Sequence, residues 1–307
     1  MSITAIREHA DIVIENTALT TREEWLELRR QGIGGSDAAA VLGLTKWSSP
    51  YALWEEKVGN IPSDIEPSNA MKWGIRLEQA IGEGFAEDTG IEVVRYPVML
   101  RSKQWPWMQV NLDFITADAT ATVECKNVGL RMADEWEDGN VPDHYALQGQ
   151  HELAVTGQDT VWFAVLIGGQ DPRYVKVERD QALIETLAEE ERIFWEMVKA
   201  NTPPAIDGSE ATANALALRY ADPEIGSATD LPLDVLELLA RREALKADEK
   251  YVKAEILAID NALKDMLGDK EIGYVNGQVA VTWKKIDRKG YEVQPTSFRK
   301  LHTPKRK

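Results

Sequence analysis

The segment that decides the fold begins at Ile91, where helical patterning gives way to β-rich patterning: IEVVRYPVMLRSKQWPWMQVNLDFITADATATVECKNV (91–128). β-Branched and aromatic residues fall in three runs separated by turn residues, which predicts a meander of three strands. Two polar residues, Glu124 and Lys126, interrupt the last of these runs. We therefore expect the segment to form the central part of a sheet that carries polar groups near one end.

Helix signals precede this segment. Thr21 and Glu24 form a capping-box pattern, Ser36 stands at an N-cap position in GIGGSDAAAVLGL (32–44), and Ser49-Pro50 opens a further helix. The remaining predicted elements are a helix over 70–88, a helix over 143–155, strands over 160–167 and 173–178, and a helix over 180–200. This order predicts one α/β domain over residues 1–200, with a mixed central sheet flanked by helices.

The carboxy-terminal part has a different pattern. Residues 201–230 contain Pro203-Pro204 and lack sustained periodicity, which predicts a linker. Asn276-Gly277 lies between alternating residues and predicts a type I′ hairpin. Residues 231–307 are thus expected to form a helical segment, a β-hairpin and a basic tail. The helix is expected to pack on the first domain or on another protomer, because apolar residues recur every seven positions: Leu238, Leu245, Val252, Ile259 and Met266.

Composition excludes several classes of site. With one cysteine, Cys125, and four histidines among 307 residues, a disulfide framework, a Cys-ligated zinc site and a His-rich metal site are not expected. The amino terminus mixes charges into every window, which predicts a cytoplasmic protein without membrane contact. The net charge of −16 argues against nucleic acid, yet residues 283–307 alone carry +7. That tail either adds phosphate contacts or acts as a solubilising end.

Asp113 and the triplet Glu124-Cys125-Lys126 form the candidate reactive group. Residues two apart on a strand point to the same face, so Glu124 and Lys126 project together while Cys125 points the other way. If the Asp113 strand pairs antiparallel with this one, two carboxylates meet beside an ammonium, which is costly without a bound divalent cation. Oxygen ligands suit Mg²⁺ or Mn²⁺ and favour phosphodiester hydrolysis. A solvated Glu–Lys ion pair remains the alternative.

Further motifs occur in a fixed order around this group: RQGIGGSDAA (30–39), WGIRLE (73–78), NLD (111–113), ECK (124–126), YALQGQHELAVTG (145–157) and VLIGGQDPRYVKVERD (165–180). Together they resemble the phage-type exonucleases of the YqaJ family, relatives of lambda exonuclease in the PD-(D/E)xK nuclease superfamily. The resemblance covers about residues 20–200 and implies a restriction-endonuclease-like core.

The resemblance also implies a role for each matching residue. Lys126 is the catalytic lysine and Gln148 supports the site, with Gln150 a weaker candidate. Arg30 and Ser36 match positions that recognise the terminal 5′-phosphate in lambda-type enzymes. The implied metal ligands are Asp113, Glu124, Glu78 and the backbone carbonyl of Cys125.

By resemblance the protein is a Mg²⁺-dependent DNA exonuclease, with Mn²⁺ as a substitute and two ions per site. It is expected to digest one strand of a duplex end in the 5′→3′ direction and to expose single strand for an annealing protein. A ring-like homo-oligomer is implied as well. Two alternatives stay open: an endonuclease on the same core, and a catalytically inactive DNA-binding or assembly module.

Overall fold

The computed structural model describes residues 3–62 and 68–287, and the chain divides into two compact units between Ala221 and Asp222. The helices of the first unit are α1 (Ile3–His9), α2 (Arg22–Arg30), α3 (Ala38–Val41), α4 (Pro50–Lys57), α5 (Asn69–Thr89), α6 (Asp143–Thr156), α7 (Gln181–Lys199) and α8 (Glu210–Arg219), with 3-10 turns at Gly35–Asp37 and Leu130–Gly139. Its strands are β1 (Ala10–Ile14), β2 (Ile33–Gly34), β3 (Val93–Arg95), β4 (Met99–Ser102), β5 (Met108–Asn111), β6 (Phe114–Thr116), β7 (Ala121–Val128), β8 (Thr160–Ile167) and β9 (Asp171–Glu178).

A five-stranded mixed sheet forms the centre of this unit, in the order β3-β6-β7-β8-β9. Only β7 and β8 run parallel, because α6 carries the chain from one to the other, and the other neighbours are antiparallel. Helices α5 and α6 both pack on this sheet, and β7 and β8 are largely buried between them. The predicted mixed α/β fold class is confirmed.

The predicted three-stranded meander is wrong, because the segment divides between two sheets. β4 and β5 pair with β1 and β2 in a second, four-stranded sheet, whereas β3, β6 and β7 belong to the central one. The chain leaves the central sheet at Pro97, which has no N–H to donate to a strand partner. It returns at Asp113, whose carbonyl accepts a 3.4 Å hydrogen bond from Tyr96 N–H. Asp113 therefore lies where the chain passes from one sheet to the other.

Alternation along β7 separates its residues onto two faces. Val123 and Cys125 pack with Phe85 of α5, on one side of the sheet. Glu124 and Lys126 point to the opposite side, toward α6, as their spacing predicted. The strand thus supplies core residues to one helix and polar residues to the other.

Close packing of α5 on the sheet predicts opposite effects for two glycines of that helix. A Cβ added at Gly82 would lie 2.5 Å from Cε2 of Phe114, whereas one added at Gly74 has no heavy atom within 4 Å among the described residues. We expect Gly82→Ala to lower the free energy of unfolding by about 1–3 kcal/mol through overpacking. Gly74→Ala, the matched control, is expected to raise it by about 0.5–1 kcal/mol through helix propensity. Urea unfolding monitored by circular dichroism measures both, and equal effects would contradict this packing.

The structure differs from the predicted linker over 201–230. Helix α8 lies inside that range and packs on α4, where Ser49 and Thr212 exchange a buried 2.7 Å hydroxyl hydrogen bond and Arg219 pairs with the buried Glu55. The first unit therefore extends past the predicted domain end at residue 200. Periodicity missed α8 because ten residues, with a short apolar face, give a weak helical pattern.

The second unit contains α9 (Val235–Leu267), β10 (Ile272–Val275) and β11 (Gln278–Thr282). The long helix and the hairpin are confirmed, and Asn276 and Gly277 both have positive φ, as a type I′ turn requires. The basic tail after residue 287 lies outside the described residues. Within the described ranges, none of the helices has the length and apolar character needed to cross a membrane.

Candidate active site

Three polar side chains from β7 and α6 form a closed hydrogen-bonded triad. Lys126 Nζ lies 2.7 Å from Glu124 Oε1 and 2.8 Å from Gln148 Oε1, and Gln148 Nε2 donates to Glu124 Oε1 at 2.6 Å. The side chains of Glu124 and Lys126 are 8% and 17% exposed, so water screens their charges weakly. Burial alone would lower the pKa of Lys126, but the Glu124 carboxylate outweighs that effect and raises it. The ammonium therefore stays charged. These contacts rule out a merely solvated ion pair.

Asp113 lies beside the triad. Its Oδ2 accepts a 2.9 Å hydrogen bond from the backbone N–H of Cys125. Burial, followed by the nearby charges of Glu124 and Glu78, raises the pKa of Asp113 well above its ordinary value. The carboxyl groups of Asp113, Glu124 and Glu78 therefore lie close enough to repel one another. They come from the residue that precedes β6, from β7 and from α5.

Chemically, these carboxylates fit a hard divalent cation, since oxygen ligands are the ones that Mg²⁺, Mn²⁺ and Ca²⁺ prefer. The described residues contain no ready-made group of three His, Cys, Asp or Glu side chains at metal-binding spacing. Glu124 is bonded to Lys126 and Gln148, and Glu78 forms a 3.0 Å ion pair with the half-exposed Arg95. The repulsion that raises the Asp113 pKa is what a bound cation would relieve.

Cys125 contributes its backbone to this region and its side chain to the core. The thiol points away from Glu124 and Lys126, among the residues that pack against α5. Burial first, and then the charges of Asp113 and Glu124, raise the pKa of this thiol, so it is not an activated nucleophile. The sequence-derived role of the Cys125 carbonyl as a metal ligand stays a prediction.

A cavity of about 240 Å³ opens beside the triad. Its lining includes Trp25, Arg29, Ser36, Glu124, Lys126 and Glu152. A larger cavity of about 610 Å³ lies elsewhere, against Asp118 and Lys176, and the sequence-predicted site residues are not among those that line it. The smaller cavity is therefore the one that joins the triad to solvent-accessible polar groups.

The structure brings Arg29, and not Arg30, to this cavity with Ser36. Arg29 Nη2 lies 3.4 Å from Ser36 Oγ, and the guanidinium packs over the Trp25 ring at 5.8 Å. Arg30 projects from another side of α2, where its Nη1 lies 3.4 Å from Glu27. The spacing along α2 could have indicated Arg29, because it follows Trp25 by four residues and therefore lies on the same face of the helix.

The expected N-cap role of Ser36 is wrong. Ser36 lies within a 3-10 turn, Asp37 occupies the N-cap position of α3, and Asp37 Oδ2 accepts the Gly34 N–H at 3.0 Å. Asp37 is buried and also pairs with Arg29 at 2.5 Å and with Lys57 at 2.7 Å. Burial alone would raise the pKa of Asp37, but these two cations lower it strongly. The ion network therefore fixes the loop that presents Ser36 to the cavity.

Two further polar residues of α6 behave differently from each other. Gln150 lies outside the triad, since its amide bonds the Glu178 carbonyl and the Asp180 N–H, both at 2.8 Å. Glu152 is buried beside Gln148 and accepts from its Nε2 at 3.0 Å. Sequence reasoning missed Glu152, although it follows Gln148 by four residues and so shares its helix face.

Comparisons with known proteins agree with these motifs. The model of the YqaJ-like viral recombinase domain matches residues 24–159. YqaJ of Bacillus subtilis (strain 168) is 34% identical over 282 residues, which cover 91% of this chain and 88% of that protein.

Two solved exonuclease structures show partial similarity. The alkaline exonuclease LHK-Exo of Laribacter hongkongensis has 21% identity and a TM-score of 0.49, over 59% of this chain and 94% of that one. A phage-related exonuclease of Haemophilus somnus has 10% identity and a TM-score of 0.45, over 58% and 99%. Identity to YqaJ over nearly the whole length, together with the domain match, establishes the relationship: the chain belongs to the YqaJ-like viral recombinase family.

Proposed function

We propose that this protein is a divalent-metal-dependent deoxyribonuclease that hydrolyses phosphodiester bonds at the ends of duplex DNA. The observation that carries the proposal is the buried Glu124–Lys126–Gln148 triad, with Asp113 beside it and a polar cavity in front of it. Membership of the YqaJ-like recombinase family supports it. Digestion in the 5′→3′ direction, which exposes a single strand for annealing, is part of the proposal.

The proposed cofactor is Mg²⁺, with Mn²⁺ as a substitute and two ions per site. Asp113, Glu124, Glu78 and the Cys125 carbonyl would hold the ions, and the repulsion around Asp113 supports this assignment. When bound, such a cation acts as a Lewis acid toward a phosphoryl oxygen. Glu78 pairs with Arg95 through Oε1, one of its two carboxylate oxygens.

Lys126 supplies a fixed positive charge in this proposal. Its ammonium is already oriented by Glu124 and Gln148, so little reorganisation is needed when negative charge develops on the scissile phosphate. Gln148 keeps the lysine in this position from the α6 side. The role of the protein's own residues is therefore to bind the phosphate region and stabilise its charge.

We assign recognition of the 5′-phosphate to Ser36 and to Arg29 in place of Arg30. Arg29 lines the cavity beside the triad, and a guanidinium with a hydroxyl is a favourable pair for an anion. Because Asp37 and Glu56 already hold this guanidinium, a phosphate would meet a charge in a defined orientation. Arg30 projects from another side of α2, toward Glu27, which supports assigning this role to Arg29.

One digestion experiment tests the proposal. Linear duplexes with 5′-phosphate or 5′-hydroxyl ends and closed circular duplex are incubated with Mg²⁺, with Mn²⁺ or with EDTA. We expect digestion of linear DNA only with metal, faster from 5′-phosphate ends by about tenfold or more, which is the strength of a hydrogen bond to a charged group. Cleavage of the circle would favour an endonuclease. DNA binding without cleavage under any of these conditions would favour an inactive assembly module.

The remaining sequence-derived expectations are kept as proposals. A single-strand annealing protein is the proposed partner, a ring-like homo-oligomer the proposed assembly, and the cytoplasm the proposed location. Sedimentation velocity of the full chain, with and without duplex DNA, measures the assembly directly. A monomer in both samples would overturn the ring.

A further inference from the structure

Glu152 is a buried acid that the proposed mechanism does not use. It is 1% exposed on α6, and one oxygen, Oε1, accepts the hydrogen bond from Gln148 Nε2. The other oxygen, Oε2, is buried without a hydrogen-bond partner in the part of the chain that the structure describes. The nearby ammonium of Lys126 is bonded to Glu124 and Gln148 instead. Burying a carboxyl oxygen without a hydrogen-bond partner lowers stability. We therefore consider what the contact between Glu152 and Gln148 contributes to the site.

That contact restricts the orientation of the Gln148 amide. In the observed orientation, Oε1 faces the Lys126 ammonium and Nε2 faces the acidic side chains of Glu124 and Glu152. Rotation by half a turn would set an N–H donor against the ammonium and a carbonyl oxygen against both acids. Glu124 alone favours the observed orientation only while its Oε1 remains available to the amide. If Glu124 were to hold a metal ion instead, Glu152 would remain as an acceptor for Nε2.

Packing closes the space on one side of both side chains. A Cβ added at Gly35 would lie 3.3 Å from Gln148 Cγ and 3.7 Å from Glu152 Cγ, so the loop that presents Ser36 already contacts them. On this side the loop leaves little room for the amide to swing away, while the cavity borders both side chains elsewhere. The orientation of Gln148 is therefore determined by its hydrogen-bond partners.

We propose that Glu152 is a positioning residue, which fixes the Gln148 amide so that its oxygen faces Lys126 throughout the reaction. The inference rests on the proposed nuclease function, because it assigns the residue to the same site. Glu152 acts through Gln148 and does not contact the substrate.

The kinetic test compares Glu152→Met, Glu152→Gln, Gln148→Met and the Glu152→Met/Gln148→Met double variant on linear duplex DNA with Mg²⁺. We expect Glu152→Met to lower kcat by about 10–100-fold, as is typical for residues that orient a metal-site group, with KM little changed. Glu152→Gln should recover most of this loss, because its amide oxygen can accept the same hydrogen bond. The double variant should be no slower than Gln148→Met alone. Additive losses would overturn the inference.

A second readout does not depend on activity. The side-chain NH₂ signals of Gln148, assigned by their loss in Gln148→Met, are followed by ¹⁵N NMR of the metal-free protein. We expect their hydrogen exchange to accelerate by about tenfold in Glu152→Met, the factor that corresponds to one lost hydrogen bond. Glu189→Met, at an exposed acid of α7, is the control and should change neither exchange nor kcat. Unchanged Gln148 signals in Glu152→Met would overturn the inference, whereas an inactive wild type overturns only the proposed function.

Discussion

Replacing Lys126 with methionine is expected to lower kcat for linear duplex DNA by about 10³-fold, within the range found for groups that act directly on the reacting atoms. The substitution keeps the length of the side chain and removes the ammonium that Glu124 and Gln148 orient. Initial rates of digestion with saturating Mg²⁺ measure the effect. Lys199→Met, at an exposed helical ion pair, is the matched control and should digest DNA at the wild-type rate.

Folding has to be checked in the same samples, because Lys126→Met removes one partner of a nearly buried pair. Glu124 keeps the hydrogen bond from the Gln148 N–H, so we expect the variant to fold. Circular dichroism and thermal unfolding test this. A folded variant that retains more than about a tenth of the wild-type rate would contradict the role of Lys126, since direct participation accounts for at least about 10²-fold.

Replacing Asp37 with alanine is expected to lower the free energy of unfolding by about 3–5 kcal/mol, the usual cost of breaking a buried ion pair on one side. The Lys57 ammonium is fully buried in the structure and would lose the carboxylate that neutralises it. Lys57→Met should cost less, because Asp37 would keep Arg29 and the Gly34 N–H. Urea unfolding at neutral pH measures the three proteins, and Glu189→Ala at a surface pair should stay within about 0.5 kcal/mol of wild type.

The Asp37 effect should also depend on pH with a defined sign. The folded state lowers the pKa of Asp37 below its ordinary value of 3.8, so its ion pairs stabilise the protein above that pH. As the pH falls toward the lowered pKa, the unfolded state takes up a proton that the folded state does not, and the stabilisation is lost. The difference between wild type and Asp37→Ala should therefore shrink in acid. A constant difference from pH 7 to pH 3 would contradict this assignment.

Local signals in the sequence were sufficient where the cause of a structure is local. The capping box at Thr21, the N-cap at Ser49 and the Asn276-Gly277 turn depend only on neighbouring residues, and all three are observed. The pairing of Glu124 with Lys126 follows from strand alternation, and the structure has it. The sequence motifs between residues 30 and 180, taken in their order along the chain, were also enough to indicate the family.

Long-range packing decided what local patterns left open. Two sheets compete for the strands between residues 91 and 128, and the partners β1 and β2 come from far away in the chain. Asp37, and not Ser36, precedes α3, and its carboxylate bonds Lys57, which lies twenty residues further along the chain. Such contacts depend on which helices and strands pack together in three dimensions. Secondary-structure propensity does not carry that information.

By itself, then, the sequence determined the α/β class, most element positions, the family and the polar pair on β7, because periodicity, caps and motifs act within a few residues. Only the tertiary structure decided that Arg29 and not Arg30 faces the cavity, that Glu152 holds Gln148, and that Asp113 lies at the passage between two sheets. These depend on burial and on the partners available in three dimensions. A buried polar group must find such partners, and its position in the chain does not reveal them.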